Sequence, residues 1–418
     1  MNHQQVETEP SASDQPAPTQ NPSTIFSPGE LTCKTNIEGL AFDFNYGARV
    51  KIPAGNWRLR IIDNDAFLTL YDAQVSDTLV FSSKKYYVNF RLEIYHDEKL
   101  VFRHDYSPSR KKILMKFSFG TLEDISTWFP YVHEFKYKYN CEVYCAMAPE
   151  LAELFKPTYP DLHFIDSEER PDDIYASYYL GISFPSDGGL HRPLDWRIVS
   201  LQRFIPYLLG LKTDELRPQT IPKPIDRLIA EPYVCIAAQT SVQAKCWNNP
   251  IGWLCTIKHL KEKGYRVLCI DKETYQGSGS CFGTIPYGAE DFTDWLPLPQ
   301  RASLLYHTDF LVSMSNGLSW LAWCLGKPVV LISGFRLPNM EFSTPYRVIN
   351  YHACSCCFRD SRFVLVHQDF SWCPRHKNTE RQFECTRLIT SGQVNAAIDR
   401  LMTNYQLQPQ SRKSYSSL

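Results

Sequence analysis

The chain has 418 residues, enough for two or three domains, and 44% of them are apolar, enough for a sizeable core. Lys plus Arg number 44 against 45 Asp plus Glu, a formal net charge of -1, so the basic surplus usual in a nucleic-acid binder is missing. No run approaches the ~18 apolar residues that span a bilayer, and the start lacks the basic-then-apolar pattern of a secretory signal. The expected setting is the cytoplasm, with no membrane span and no nucleic acid partner, where fourteen cysteines read as buried thiols or metal ligands rather than disulfides.

Residues 1–30, rich in Pro, Ser, Gln and Thr, are expected to form a disordered leader. Residues 31–107 read as a β-rich barrel or sandwich with a role in assembly. Val88, Phe90, Leu92 and Ile94 alternate with polar residues, the period of a half-buried strand. "HDEK" is its turn and "LVFRHDY" its hairpin partner. "ARVKIPAGNWRLRIID" supplies two more short strands.

From residue 108 to 218 the pattern changes to strands alternating with helices, which argues for a parallel sheet flanked by helices. Ile113–Phe117 is the first strand, Ser118–Thr121 a loop, and a helix begins near Leu122. "CEVYCAM", "LHFID" and "IYASYYLGI" are further strands and "PELAELF" a helix. The proline-rich stretch Leu216–Pro232 reads as a linker. A second alternating unit, placed within residues 219–402, runs through the strands "YVCIAAQT", "YRVLCID", "DFLVSMSNG" and "PVVLISG". The fold class is therefore α/β, with two Rossmann-like units facing a cleft. Ligands in such sheets bind at the carboxyl ends of the strands. Residues 403–418 are expected to form a disordered tail.

The strand-to-helix loops hold the candidate site. Glu123 and Asp124 fall in the first turn of a helix, where carboxylates offset the helix dipole. Asp124 is also placed to act as a general base toward the cleft. Gln239, Thr240 and Ser241 offer polar groups after the first strand of the second unit. Lys245 follows as a cation before a helix, an arrangement suited to pyrophosphate, although a solvated loop lysine looks the same. In "WNNP", Asn248 or Asn249 is the expected cap and Pro250 the first helical residue. Asp271 ends a second strand and is either a ribose ligand or a turn residue. Gly317 makes a sharp turn from which the amides of Leu318 and Ser319 can meet phosphate. Trp320 and Trp323 read as core.

"YHACSCCFRD" opens a cysteine cluster that continues to Cys373 and Cys385, giving C-x2-C-x15-C-x11-C from Cys354 and Cys357. Two close cysteines and two more thiolates can complete a tetrahedral site that suits zinc or iron. Buried free thiols are the plainer alternative. Cys356 does not fit the ligand set, and His352, His367 and His376 are possible substitutes.

"GTLEDISTWFPY", "QAKCWNNPIGW", "HACSCCF" and "SWCPRHKNTERQFECTR" resemble the bacterial autotransporter heptosyltransferases, relatives of the lipopolysaccharide core heptosyltransferases, over about residues 31–402. The resemblance implies a GT-B fold with a metal finger at 350–390. It implies inverting transfer of heptose from ADP-heptose to serine hydroxyls of an autotransporter adhesin passenger domain, with no catalytic divalent cation. By that resemblance Asp124 is the catalytic base. Thr121, Leu122, Gln239, Thr240, Lys245, Asp271, Gly317, Leu318 and Ser319 hold the donor. Cys354, Cys357, Cys373 and Cys385 hold one iron per chain, as Fe(III), with zinc the alternative, and the enzyme forms a dodecamer. The lipopolysaccharide relatives carry Asp-Thr-Gly-x-x-His in the last loop, where this chain has Ser315 to Trp320. Two rivals stand beside this reading: a GT-B enzyme using another nucleotide sugar, and a non-catalytic module whose finger contacts nucleic acid.

Overall fold

The computed structural model describes residues 29–117, 121–181, 193–212, 214–220, 226–277, 281–293, 296–360 and 362–409. Most of the expected leader, residues 118–120 of the first loop and the end of the expected tail lie outside these. Residues 403 and 404 close the helix Ser391–Asn404 rather than opening a tail.

The first large sheet is built around Lys112–Lys116, whose apolar centre, Ile113 to Met115, is fully buried. On one side lie Glu142–Ala146 and then His163–Ile165; on the other lies Ile174–Tyr179, all parallel to their neighbours. The sheet continues past Ile174–Tyr179 into Ala41–Asn45, Arg49–Ile52 and Thr78–Phe81. The boundary expected near residue 107 therefore does not cut between two sheets. The joint is polar and dry: Ser177 donates to Asn45 at 2.6 Å, and Arg49 pairs with fully buried Asp43 at 2.5 Å. Such a buried pair specifies the docking geometry more than it stabilises the fold.

The rest of the N-terminal β-rich region is a four-stranded antiparallel sheet in the order Leu68–Val75, Trp57–Asp63, Phe90–His96, Lys99–Asp105. The alternation read from the sequence holds, with Phe90, Leu92 and Ile94 buried. The hairpin turn places Asp97 and Glu98 both at positive φ, as a two-residue turn matched to strand twist requires.

The second large sheet is wholly parallel, in the order Glu290–Asp291, Arg266–Cys269, Tyr233–Ala237, Leu311–Met314, Val329–Ile332, Arg347–Val348. Its strand order reverses between Tyr233–Ala237 and Leu311–Met314, so the loops that follow those two strands splay apart and open a crevice. The first sheet has the same reversal between Lys112–Lys116 and Ile174–Tyr179. The helices Leu122–Tyr139 and Gly317–Cys324 emerge from the two crevices and meet across the interface between the units. A Cβ on Gly317 would lie 3.2 Å from Cβ of Leu122, so glycine permits this approach.

Candidate active site and metal lobe

A cavity of about 700 Å³ lies at the reversal point of the second sheet. Gln239, Thr240, Asp271, Gly317 and Leu318, all expected at the donor site, line it, and Leu122 reaches it from the other unit. Asn316 closes the floor: its amide donates to the carbonyl of Gln239 at 2.9 Å, while its Oδ1 accepts from the N–H of Ser319 at 3.0 Å.

Four expected donor residues are placed differently: Thr121, Lys245 and Ser319 are not part of the lining, and Asp271 lines the cavity while also holding the protein's own backbone. Asp271 lines the cavity, but its carboxylate accepts the N–H groups of Ala238 and Gln239 at 2.8 and 3.1 Å and the thiol of Cys269 at 3.3 Å. It braces the loop after Tyr233–Ala237, while the neighbouring Glu273 is the solvent-facing carboxylate of the same wall. Ser319 is fully buried and completes a capping box, its hydroxyl accepting the N–H of Asn316 at 3.1 Å, so it does not line the cavity. Lys245 is not part of the lining either. It is 7% exposed and holds Glu123 Oε2 at 3.3 Å across the unit interface. Burial pushes its ammonium down to about 8.

Asp124 sits at the third position of the helix Leu122–Tyr139 in a capping box with Thr121. The Thr121 hydroxyl and N–H donate to its Oδ2 at 2.9 and 3.1 Å, and Thr121 Oγ1 accepts its N–H at 3.3 Å. The placement expected from the sequence, in the first turn of a helix, is thus realised in the fold. Burial nonetheless raises its pKa, against the opposing pull of Thr121 and the Lys245 charge. All its side-chain hydrogen bonds to described residues fall on Oδ2.

Several residues at the site carry no motif in the sequence. Arg301 supports the cavity wall by donating to the carbonyls of Ile270, Asp271, Thr293 and Leu296. Arg336, just past the strand Val329–Ile332, pairs with Glu123 Oε1. Glu341 is buried and takes hydrogen bonds from Ser333 and Arg347. Only an arginine inside an otherwise amphipathic helix could have flagged Arg301, and nothing local flags Arg336. Asn316 was legible as a helix-start residue before an apolar run. Ser315 is buried with its hydroxyl unpartnered among the described residues, and Trp320 is core, edge-on to Trp323 and Phe342.

Asn248 and Asn249 do not cap the helix that follows, which begins at Gly252 after Ile251. They grip the far end of the cysteine lobe instead. Asn248 donates to Thr386 Oγ1 at 2.9 Å, and Asn249 to the carbonyls of Arg387 and Ile389 at 3.1 Å each.

All fourteen cysteines are free thiols. Cys354, Cys357, Cys373 and Cys385 share one lobe, where Cys357 and Cys385 are each pushed up to about 12, by burial first and then by the neighbouring cysteines. A soft cation would relieve the crowding of thiols around Cys357 and Cys385, so the residues present fit the expected metal. Such an ion would act as a cross-link. Arg375 donates to the sulfur of Cys354 at 3.6 Å and to Asp360 at 2.8 Å. Among the described residues, Cys354, His376 and Glu384 are the set whose donor atoms lie within 4.8 Å of one another. Glu384 is committed to the N–H of Cys354 at 2.8 Å and to Arg381, which makes it a brace for the ligand loop. Cys356 stands outside the ligand set. It sits at φ 64, its N–H donates to the carbonyl of Gly334 at 2.9 Å, and its thiol faces the carbonyl of Arg336 at 3.5 Å. The lobe packs Cys357, Cys373, Trp372 and Phe383 against Val242 and Ala244, in the loop that carries Lys245.

Two Rossmann-like units, a cavity at the reversal point of the second and a carboxylate heading the first define a GT-B glycosyltransferase. Residues 208–357 match the model of glycosyltransferase family 9 (heptosyltransferase), and residues 37–98 match that of the glycosyltransferase TibC N-terminal domain. The autotransporter heptosyltransferase BAHTCr of Citrobacter rodentium strain ICC168 is 44% identical over 383 residues, 91% of this chain and 93% of the relative. An inactive autotransporter heptosyltransferase, BimC of Burkholderia thailandensis, is 37% identical over 374 residues, 89% of this chain and 88% of the relative. Crystal structures of TibC from enterotoxigenic E. coli H10407 superpose with a TM-score of 0.85 at 42% identity, covering 91% of this chain and all of theirs. One is described as an iron-containing dodecameric glycosyltransferase, the other as a complex with ADP-D-β-D-heptose. The chain belongs to the autotransporter heptosyltransferase family.

Proposed function

We propose that this protein transfers heptose from ADP-heptose to serine hydroxyls of an autotransporter adhesin, with inversion and with Asp124 as the general base. The observation that carries the reading is the position of Asp124, a buried carboxylate of raised pKa in the turn after Leu122, which itself lines the cavity. Because the family includes a relative named as inactive, activity has to rest on this chain's own residues.

In the proposed step the serine Oγ attacks the anomeric carbon as its proton passes to Asp124. The bond from that carbon to the β-phosphate oxygen breaks, and ADP leaves with the electron pair. Thr121 holds Oδ2, which leaves Oδ1 for the incoming hydroxyl. The charge growing on ADP is offset by Lys245 and by the amides of Gly317 and Leu318 at a helix N-terminus. Gln239 and Thr240 line the diphosphate, and Glu273 replaces Asp271 as the carboxylate facing the ribose. No divalent cation enters this scheme. The cysteine lobe holds one iron through Cys354, Cys357, Cys373 and Cys385, with zinc the alternative, and the chain assembles as a dodecamer. Fourteen unpaired thiols favour a reducing cytoplasm; among the described residues no helix is long and apolar enough to cross a membrane.

Intact-mass analysis of a co-expressed adhesin passenger domain tests the reading. Mass steps of one heptose, absent with Asp124→Ala, are expected. A passenger left unmodified by the folded, metal-loaded wild type would overturn the donor or the acceptor assignment.

A further inference from the structure

Glu123, next to the proposed base, bridges two cations that come from the opposite unit. Its Oε2 lies 3.3 Å from Lys245 Nζ, and its Oε1 contacts the guanidinium of Arg336. All three side chains are nearly dry, with exposures of 7%, 7% and 11%. Glu341 also acts electrostatically on both cations and Asp124 on Lys245, but among the described residues the ion-pair contacts of both cations are with Glu123, and one carboxylate cannot satisfy an ammonium with three donors and a guanidinium with five. Nε of Arg336 is buried and, among the described residues, has no hydrogen-bond partner. Buried donors in excess of acceptors, on two neighbouring cations, are the signature of a site built for a further anion.

The Arg336 backbone is fixed from behind. The Cys356 thiol faces its carbonyl, the Cys356 N–H holds Gly334, and the guanidinium stacks 5.0 Å from the Phe358 ring. Gly334 itself is pinned, since a Cβ there would meet the carbonyl of Cys385 at 2.6 Å. The cysteine lobe therefore sets where Arg336 stands.

We infer that Arg336 is a second cation for the diphosphate of the donor, paired with Lys245, and that Glu123 is the counter-ion that holds both cations until the diphosphate arrives. The inference rests on the proposed reading that Lys245 serves the donor phosphates. On donor binding the diphosphate oxygens take the spare N–H donors of Arg336 and Lys245, with no change of covalent bonds. An arginine suits this place because its planar fork can serve a carboxylate and a phosphate oxygen together.

Calorimetric titration of the full-length, metal-loaded protein with ADP, and with adenosine as the phosphate-free control, tests it. Arg336→Gln is expected to weaken ADP about tenfold or more and to leave adenosine unchanged, with partial recovery in Arg336→Lys. Glu123→Gln, which keeps shape and removes the competing charge, is expected to tighten ADP severalfold. A purely structural ion pair would give unchanged or weaker binding there, and that result overturns the inference. ADP affinity within twofold of wild type in Arg336→Gln, while Lys245→Ala weakens it, also overturns it and leaves the Lys245 reading intact. If Lys245→Ala is silent as well, the Lys245 reading falls too. Should Arg336→Gln fail to bind adenosine through misfolding, Glu123→Gln decides alone.

Discussion

The two helices that meet across the cleft begin with the same device and put it to different uses. Leu122–Tyr139 starts with Thr121 and Asp124 in a capping box; Gly317–Cys324 starts with Asn316 and Ser319 in another. In the first the reciprocal residue is a carboxylate that burial makes harder to ionise. In the second it is a hydroxyl, fully buried and occupied at both ends by Asn316. The first cap thus carries an ionisable group whose pKa burial raises, and the second carries none. A capping motif marks where a helix begins; the titration range of its third residue decides whether the same atoms can also do chemistry.

Breaking the first cap chemically and the second structurally should separate these roles. Asp124→Asn retains a side chain that can cap but has no base, so transfer should fall by about 10²- to 10⁴-fold. Donor affinity, read by titration with ADP, should change little. Equal losses in both would make Asp124 a structural residue like Ser319.

The next effect concerns the cation behind the first cap. Lys245→Ala should weaken ADP on the order of 10- to 100-fold, the scale of a charge-assisted contact. Its pH dependence is distinctive. The Lys245 ammonium, lowered to about 8 from the ordinary 10.5, is present below pH 8 and lost above it. Donor KM should therefore climb as pH passes 8, and Lys245→Arg should flatten that rise. The stability term has the opposite sense. Between about pH 8 and 10.5 the unfolded chain binds more protons at this residue, so its contribution to folding improves as pH rises through that window.

A smaller effect is expected from the lobe that stands behind the second unit. Removing the metal proposed for it with a chelator should loosen Val242, Ala244 and the Arg336 segment, weakening ADP about five- to tenfold and lowering Tm. Unchanged ADP affinity in the metal-free, still folded protein would confine the lobe to assembly. Ser319→Ala should cost only about 1 kcal/mol of stability, read by urea unfolding, with kcat nearly unchanged. A large loss of kcat there would erase the contrast between the caps.

Local pattern carried the elements and much of the site. Strand alternation at Phe90–Ile94, the two βα series, the helix start near Leu122, and the C-x2-C spacing are all short-range signals. Each follows from side-chain period or hydrogen bonding within a few residues. The cavity wall of Gln239, Thr240, Gly317 and Leu318 could be read in the same way, because the carboxyl ends of parallel strands are where such folds bind.

Tertiary structure alone decided what depends on residues far apart in the chain. The continuation of the first sheet into Ala41–Asn45 hangs on Asn45 meeting Ser177, 132 positions later. Asp271 reads as either a ribose ligand or a turn residue, and only the fold shows that it lines the cavity while its oxygens hold the loop at Ala238. Asn248 and Asn249 read as caps until Thr386 and Ile389 arrive. Glu123, Lys245 and Arg336 come from three separate segments with no common motif, and only the packing of the two units brings their charges together. Hydrophobic period and turn chemistry act over a few residues and are written in the sequence; the partner of a buried charge is chosen by the fold, because removing that charge from water is costly unless packing supplies its counter-ion.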